Sequence, residues 1–248
     1  MKKILSVGDS TRMSRHARGI INSNSSFSEE DEAKNGVKAS KLRAHNSSRK
    51  SSNKIVCIAV STGGPQSLQS VIPLLPKNLE APVIIVQHMP EGFTSSFASR
   101  LDSLSGIEVI EANEGDVVAN GKVYVAKSGA HLNLVKSGDK VKIHYSNEDY
   151  REGVRPCANY MFESLIDLDY KEVVAVVMTG MGADGTEGIK ALKESGKSVY
   201  VITQDMESCV IYGMPKACVN AGLSDESVSL TKIAQQIILR VGVKSDGC

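Results

Sequence analysis

The fold can be inferred outward from IVCIAVSTGGPQSLQ, which runs from Ile55 to Gln69. Its first six residues are apolar and rich in Val and Ile, which predicts a strand buried on both faces. Ser61, Thr62 and two glycines then break the pattern, and Pro65 opens a segment with helical spacing. A strand that passes through a short polar turn into a helix is the repeating unit of a parallel α/β sheet.

The same unit returns along the chain. Apolar runs at APVIIVQH (81–88), VVAVVMTG (173–180) and SVYVITQ (198–204) are each followed by a helical segment or a Gly-containing loop. Gly121 to Tyr145 differs, because short alternating strands separated by Ser-Gly-Asp are typical of a hairpin. We therefore predict a three-layer α/β sandwich with a mostly parallel, doubly wound, Rossmann-like sheet and an antiparallel hairpin insert.

Composition argues against several classes of protein. The chain has 248 residues, of which 41% are hydrophobic and 4% aromatic, with 29 basic and 28 acidic side chains. This balance gives no electrostatic reason to expect a nucleic acid or an anionic membrane as partner. Neither a signal peptide nor an apolar run of the ~20 residues that a membrane helix needs is expected. The five scattered cysteines lack a C-x-x-C pair, which favours reduced thiols in the cytoplasm over disulfides or a zinc site.

Composition also predicts four regions. Residues 1–21 could form one strand and one helix, which is too little for a core of its own. Residues 22–53 are rich in Ser, Asn and charge, so they are predicted to be a disordered polar linker. Residues 54–241 are predicted to be the α/β domain, and 242–248 a flexible tail.

Three strands are followed by side chains of complementary chemistry. Ser61 ends the first strand, His88 ends the second, and Asp184 follows VVAVVMTG through a Gly-rich loop. Ligands of open parallel sheets bind beyond the carboxyl ends of the strands, where these groups would meet. A hydroxyl, an imidazole and a carboxylate are the parts of a nucleophile, a general base and an orienting acid. Each also has an ordinary explanation: a turn serine, a packed or solvent-facing histidine, and an N-cap of the following helix.

Two other kinds of site stay open on residue types alone. The glycines of 63–64, followed by Pro65, would suit an anion at a helix N-terminus, although no G-x-G-x-x-G or P-loop motif is present. A metal site is the other alternative, without paired ligand spacing to support it, and its ligands would be His88, His131 and Asp184.

Four motifs together resemble a known family. STGGPQSL, VQHMPEGFTSSFASRL, VMTGMGADGTEGI and ESCVIYGMPKA resemble the catalytic domain of the chemotaxis receptor methylesterases, the CheB-type protein-glutamate methylesterase/glutamine deamidases. The resemblance covers about Lys54 to Arg240. It implies that Ser61 is the nucleophile, His88 the general base, and Asp184 the residue that orients His88.

The resemblance also places three further residues against the site: Thr62, Gly63 and Met181. The N–H of Met181 is the candidate oxyanion donor, and the alternative for this side chain is that it fills a gap in the packing. Gly63 and Gly64 would let backbone and substrate approach closely at the start of the helix. His131 is expected to border the cleft without a catalytic role.

The implied reaction is hydrolysis of glutamate methyl esters, with methanol released, and deamidation of glutamines. The implied partners are the cytoplasmic domains of methyl-accepting chemotaxis receptors, and Arg155 or Arg100 could contact them, although Arg100 is better explained as a solvated surface charge. No cofactor, metal, nucleic acid or membrane insertion is expected, and the chain is expected to be a cytoplasmic monomer. The alternative is a catalytically silent receptor-docking module.

The chain also departs from the family pattern. Ala59-Val60 stands where the family usually has Gly-Ala, a change from which we expect little effect. Residues 1–21 resemble only the first strand and helix of a phosphoreceiver domain, with Gly8 in place of one acidic residue and Asp9 retained. We therefore expect residues 1–21 to be a truncated, non-functional receiver remnant.

Overall fold

The computed structural model describes residues 53–245. The predicted receiver remnant (1–21), all but the last residue of the predicted linker (22–53) and the end of the predicted tail lie outside the described residues.

The described residues form strands and helices in alternation. The strands are β1 (Lys54–Val60), β2 (Val83–Gln87), β3 (Glu108–Glu111), β4 (Lys122–Val125), β5 (His131–Ser137), β6 (Lys140–Ser146), β7 (Glu172–Val177), β8 (Val199–Gln204) and β9 (Glu226–Val228). The helices are α1 (Gly64–Val71), α2 (Thr94–Leu104), α3 (Ala158–Glu163), α4 (Thr186–Glu194), α5 (Met214–Asn220) and α6 (Leu230–Val241), with a 3₁₀ turn at Ile72–Leu74 after α1.

Seven strands make one parallel sheet. Their order is β3-β4-β2-β1-β7-β8-β9, and all six neighbouring pairs run parallel. A separate antiparallel pair is formed by β5 and β6. The predicted sandwich with a mostly parallel sheet and a hairpin insert is therefore confirmed.

One boundary of the hairpin prediction was wrong. β4 falls within the stretch assigned to the antiparallel insert, yet it pairs in parallel with β2 and β3. Its sequence KVYV is only four residues long and three of them are buried. Over so short a run, alternation of polar and apolar residues does not distinguish a hairpin strand from a sheet strand.

β1 is central to the sheet and is buried on both of its faces. Val56, Ile58 and Val60 pack with apolar residues of α1, α2 and α6, while Cys57 and Ala59 pack with α3, α4 and α5. These five side chains are all 0% exposed. The unbroken Val/Ile run is thus explained by two cores, one on each side of the sheet.

The three strands that precede the candidate residues are neighbours. β1 lies between β2 and β7, with Val60 paired to Gln87 and Ala59 paired to Val177. Because all three run in the same direction, their carboxyl ends meet at one edge of the sheet.

Candidate active site

His88 and Asp184 are in direct contact at this edge. The Nε2 of His88 lies 2.7 Å from the Oδ2 of Asp184, and the two side chains are 10% and 2% exposed. Beside a carboxylate, Nε2 carries the proton, so the neutral ring keeps the lone pair of Nδ1. Among residues 53–245 that Nδ1 has no hydrogen-bond partner, so it is available to act as a base.

Ser61 shares a cleft with His88. The cleft has a volume of about 340 Å³, and its lining includes Ser61, Thr62, Gly63, His88 and Phe93. The Ser61 N–H donates to the Thr179 carbonyl at 3.0 Å, which fixes the end of β1 to the loop after β7. The Ser61 hydroxyl forms no hydrogen bond within the described part of the chain, so the serine and the imidazole line one cleft without a hydrogen bond between them. Such loose contacts are common before substrate binds.

A larger hollow lies elsewhere. It has a volume of about 610 Å³, and its lining includes Lys136, Lys140 and Asp169 beside the hairpin. None of Ser61, His88 and Asp184 lines this hollow. The smaller cleft is therefore the candidate active site, because it combines a hydroxyl with a carboxylate-backed imidazole.

Asp184 accepts four hydrogen bonds. Its Oδ2 is bonded by His88 and by the Ala158 N–H at 2.7 Å, and its Oδ1 by the Cys157 thiol at 2.9 Å and the Asn159 N–H at 3.0 Å. A carboxylate offers about four lone-pair sites, so its accepting capacity is filled. The alternative explanation, in which Asp184 is the N-cap of the helix that follows it, was wrong. The N-cap of α4 is Gly185, and the Asp184 carboxylate instead binds the first N–H groups of α3.

The charge of Asp184 is set by two opposing effects. Burial by itself raises the pKa of this carboxyl, but the hydrogen bonds from His88, Cys157 and Ala158 outweigh it and lower the pKa below its ordinary value. Burial, followed by the neighbouring Asp184 charge, raises the pKa of the Cys157 thiol to about 12. At neutral pH the carboxylate is therefore ionised and the thiol is protonated. In these protonation states the Cys157 thiol donates its hydrogen bond to the Asp184 carboxylate.

We expect the protein to lose stability in acid because of Asp184. Its folded-state pKa lies below the unfolded value, so the unfolded chain binds a proton more readily. The stabilisation is present above the unfolded pKa of about 4 and is lost as the pH falls through the folded pKa. Urea unfolding at pH 7, 4 and 3 should show a falling midpoint. Glu114→Gln, at an exposed carboxyl whose pKa is also lowered, should leave this fall in place, and a midpoint independent of pH would contradict the assignment.

Cys157 was not identified from the sequence, and we expect it to matter for the site. Cys157→Ala removes one of the donors to Asp184 and should lower kcat about tenfold, since hydrogen bonds to charged groups contribute about 1.5–3 kcal/mol. Cys157→Ser keeps a donor and should restore most of the activity. Steady-state kinetics of the two variants tests this, and equal activities would show that the donor is unimportant.

Asn159 and His131 support the same loop. The Oδ1 of Asn159 accepts the N–H groups of Gly185 at 3.0 Å and Gly188 at 2.7 Å. Asp184, which lies just before α4, therefore caps the start of α3. Asn159, which lies in α3, caps the start of α4. His131 is 0% exposed, and its Nδ1 accepts the Cys157 N–H at 3.1 Å while its Nε2 contacts the Asp149 carbonyl at 3.1 Å.

His131 therefore differs from both earlier expectations. It is buried behind the site rather than at the border of the cleft, and both of its nitrogens are engaged by the backbone, which argues against the metal alternative. Within the described residues, no group of three or more His, Cys, Asp or Glu side chains could hold a metal ion. No helix in the same part of the chain has the length and apolar character needed to span a membrane.

Of the three predicted lining residues, Thr62 and Gly63 line the cleft with Ser61, and Met181 lies in the loop after β7. A Cβ on Gly180 would lie 2.7 Å from the Ser61 Cβ, so the backbone that leads into Met181 packs against the serine. The Met181 side chain is 73% exposed, so it does not fill a gap in the core. Gly63 has φ 82°, and a Cβ there would lie 2.6 Å from Val210. In residues 53–245 the N–H groups of Thr62, Gly63 and Met181 have no acceptor, which leaves them available to an oxyanion.

The two candidate arginines have different surroundings. Arg100 is exposed on α2. Arg155 lies 4.6 Å from the centre of the Tyr150 ring and borders a hollow of about 330 Å³ that reaches His88. Arg155 is therefore near the mouth of the site, whereas Arg100 has a solvated charge.

Comparison with known proteins gives consistent matches. The family model described as CheB methylesterase matches residues 56–237. Protein-glutamate methylesterase/protein-glutamine glutaminase of Bacillus subtilis (strain 168) is 50% identical over 184 residues, which are 74% of this chain and 51% of that protein. The protein of the same name from Pyrococcus abyssi (strain GE5 / Orsay) is 46% identical over 186 residues, 75% of this chain and 50% of that protein. This chain spans about half the length of these curated relatives. The crystal structure of the Thermotoga maritima CheB methylesterase catalytic domain matches with a TM-score of 0.72 and 43% identity, covering 76% of this chain and 98% of that chain.

Proposed function

The chain belongs to the CheB methylesterase family, and we propose on this premise that it hydrolyses methyl esters of glutamate side chains on chemotaxis receptors. The resemblance inferred from the four motifs is confirmed by this membership. The observation that carries the proposed chemistry is the contact of His88 with a buried, ionised Asp184 on one side and the Ser61 cleft on the other.

In the first half of the proposed reaction, Ser61 attacks the ester. Its Oγ bonds to the side-chain carbonyl carbon while its proton passes to the Nδ1 of His88. Asp184 holds the other ring proton on Nε2 and stabilises the imidazolium that forms. The Met181 N–H is the proposed oxyanion donor, and such a donor typically contributes about 3 kcal/mol to lowering the barrier. Collapse of the intermediate breaks the C–O bond, and His88 gives its proton to the departing methanol.

In the second half, water hydrolyses the acyl-enzyme. His88 takes a proton from the water, the hydroxide adds to the acyl carbon, and the proton returns to the Ser61 oxygen as it leaves. The product is a free glutamate side chain. A glutamine side chain that follows the same course would release ammonia instead of methanol and also leave glutamate.

The setting of this reaction is part of the proposal. We place the chain in the cytoplasm as a monomer that acts on the cytoplasmic domains of methyl-accepting receptors. The described cysteines Cys57, Cys157, Cys209 and Cys218 are all free, which is consistent with a reducing compartment. Within the chain, we assign the catalytic function to residues 54–241.

Methanol release tests the proposal directly. The purified chain would be incubated with receptor membranes carrying methyl-³H esters, and both volatile methanol and chain sedimenting with the membranes would be measured. Release of labelled methanol above that from a heat-unfolded sample is the expected result. Sedimentation without release would instead support the silent docking module. Ammonia release from receptors that carry glutamine at the same positions tests the deamidase activity separately.

A further inference from the structure

Gln87 contacts both halves of the catalytic pair. It is the last residue of β2 and is 1% exposed. Its Nε2 donates one hydrogen bond to the Ser61 carbonyl at 3.1 Å and another to the His88 carbonyl at 2.8 Å. One side-chain amide therefore joins the backbone of the nucleophile to the backbone of the base.

This contact extends the sheet beyond its last backbone pair. The register of β1 and β2 ends at Val60 and Gln87, and the His88 N–H then bonds the Val60 carbonyl at 3.1 Å. The Ser61 carbonyl lies one residue further on, where β2 has ended. It receives the Gln87 side-chain amide there, in addition to the Gly64 N–H at 2.8 Å that closes the turn.

The orientation of the amide is determined by its neighbours. A flipped amide would place Oε1 against two carbonyl oxygens and would lose both hydrogen bonds. In the orientation observed, the buried Oε1 has no hydrogen-bond partner among the described residues. An unpaired buried acceptor is destabilising compared with an apolar side chain of the same shape. The donors on Nε2, which bind the two carbonyls, therefore account for a glutamine here, and Oε1 does not.

Gly64 leaves the space that Gln87 occupies. A Cβ at Gly64 would lie 2.0 Å from the Gln87 Oε1 and 2.6 Å from Val60 Cγ2. Protein atoms, rather than substrate, therefore fill the space beside this glycine. Any larger residue at position 64 would displace the amide from its contacts.

We propose that Gln87 is a positioning residue that sets the distance between Ser61 and His88, and that Gly64 is required because it accommodates the amide. This inference rests on the proposed function, since it assigns those two residues to one reaction. The Ser61 hydroxyl and the His88 ring are not hydrogen-bonded in the structure, so their approach depends on how the two backbones are held. A misplacement of about 1 Å can reduce a reaction rate by about 10²-fold.

The reaction of Ser61 with a fluorophosphonate tests this without any receptor. In that reaction the Ser61 oxygen bonds to phosphorus, fluoride leaves and His88 takes the proton. Gln87→Met keeps the size but removes both donors, and Gln87→Glu keeps the shape but faces the carbonyls with acceptors only. We expect the second-order labelling rate to fall about 10- to 100-fold in both variants. With methylated receptors, kcat should fall similarly while KM changes less than about twofold, because Gln87 is 1% exposed and offers a substrate almost no surface.

A matched control separates positioning from general destabilisation. Thr203 is 0% exposed at the end of β8, where its hydroxyl bonds the Ser224 hydroxyl at 2.9 Å. Thr203→Val removes a buried side-chain hydrogen bond away from the site and should leave the labelling rate unchanged. If Gln87→Met does not fold, Gly64→Ala tests the same contact by displacing the amide. Gly64→Ala should then cost less labelling rate in a Gln87→Ala background than in the wild type, since the amide is already absent and only the contact with Val60 remains.

The outcomes can be distinguished. Wild-type labelling at Ser61 with Gln87 variants that label equally fast overturns the positioning role and leaves the proposed function standing. A loss confined to KM also overturns it. Labelling that depends on Gln87 in a chain that releases no methanol refutes the receptor substrate while supporting the positioning role. A folded wild type that neither labels nor releases methanol refutes both.

Discussion

Ser61→Ala is expected to abolish methanol release and leave the fold as stable as before. Removing the nucleophile of a serine hydrolase lowers kcat by roughly 10⁴- to 10⁶-fold, because only binding and oxyanion stabilisation remain. The Ser61 hydroxyl forms no hydrogen bond in the described chain, so its loss leaves no partner unpaired. The free energy of unfolding should therefore change by less than about 0.5 kcal/mol.

Ser67→Ala is the matched control for this variant. Ser67 lies in α1 and is 3% exposed, so the same chemical change is made within one short segment. The control should retain wild-type release of methanol. If Ser61→Ala kept more than about a tenth of the wild-type rate, the assignment of Ser61 as the nucleophile would have to be abandoned, because loss of a nucleophile costs far more than tenfold.

Asp184→Asn is expected to damage both the chemistry and the fold. The amide has one acceptor oxygen and an NH₂ group that would face donors now bound to the carboxylate. It also ceases to hold the proton on the Nε2 of His88, which favours the wrong tautomer and should lower kcat by about 10⁴-fold. Each donor left unpaired costs about 1–3 kcal/mol of stability, so the urea midpoint should fall clearly below that of wild type.

Asp169→Asn provides the comparison. The Asp169 side chain is 76% exposed, and its carboxylate pairs with Lys136 on the surface. Its replacement should change neither the urea midpoint nor methanol release measurably, since exposed ion pairs contribute little. Full stability of Asp184→Asn would show that the hydrogen bonds from the Ala158 and Asn159 N–H groups do not hold the start of α3, and full activity would remove Asp184 from the mechanism.

The central part of the fold could be predicted because its strands are buried on both faces. The runs at β1, β2, β7 and β8 are almost free of polar residues, and such runs indicate a parallel sheet. The edge strand β3 and the short β9 were not predicted. β3 has the sequence EVIE and only one buried residue. It therefore shows neither an apolar run nor an alternation of buried and exposed residues from which a strand could be predicted.

The sequence predicts only those residues of the candidate site that follow the ends of recognisable strands. Ser61 and His88 directly follow strands, and Asp184 follows a third through a Gly-rich loop, so the topology brings them together. Cys157 lies 27 positions from Asp184, and Gln87 lies 26 positions from Ser61, and each acts through a tertiary contact. No local pattern marks such residues, because a buried cysteine or glutamine has the same appearance in sequence whichever groups surround it.

The capping of α3 by Asp184 has a consequence for how this enzyme family would diverge. Loss of Ser61 is expected to cost little folding stability, whereas loss of Asp184 removes two hydrogen bonds at the start of α3. Descendants that have abandoned hydrolysis are therefore expected to lose the serine first and to retain the acid under selection for folding alone. In comparisons among distant homologues, an aspartate at this position would then indicate a shared fold. A serine at the position of Ser61 would indicate that the activity is retained.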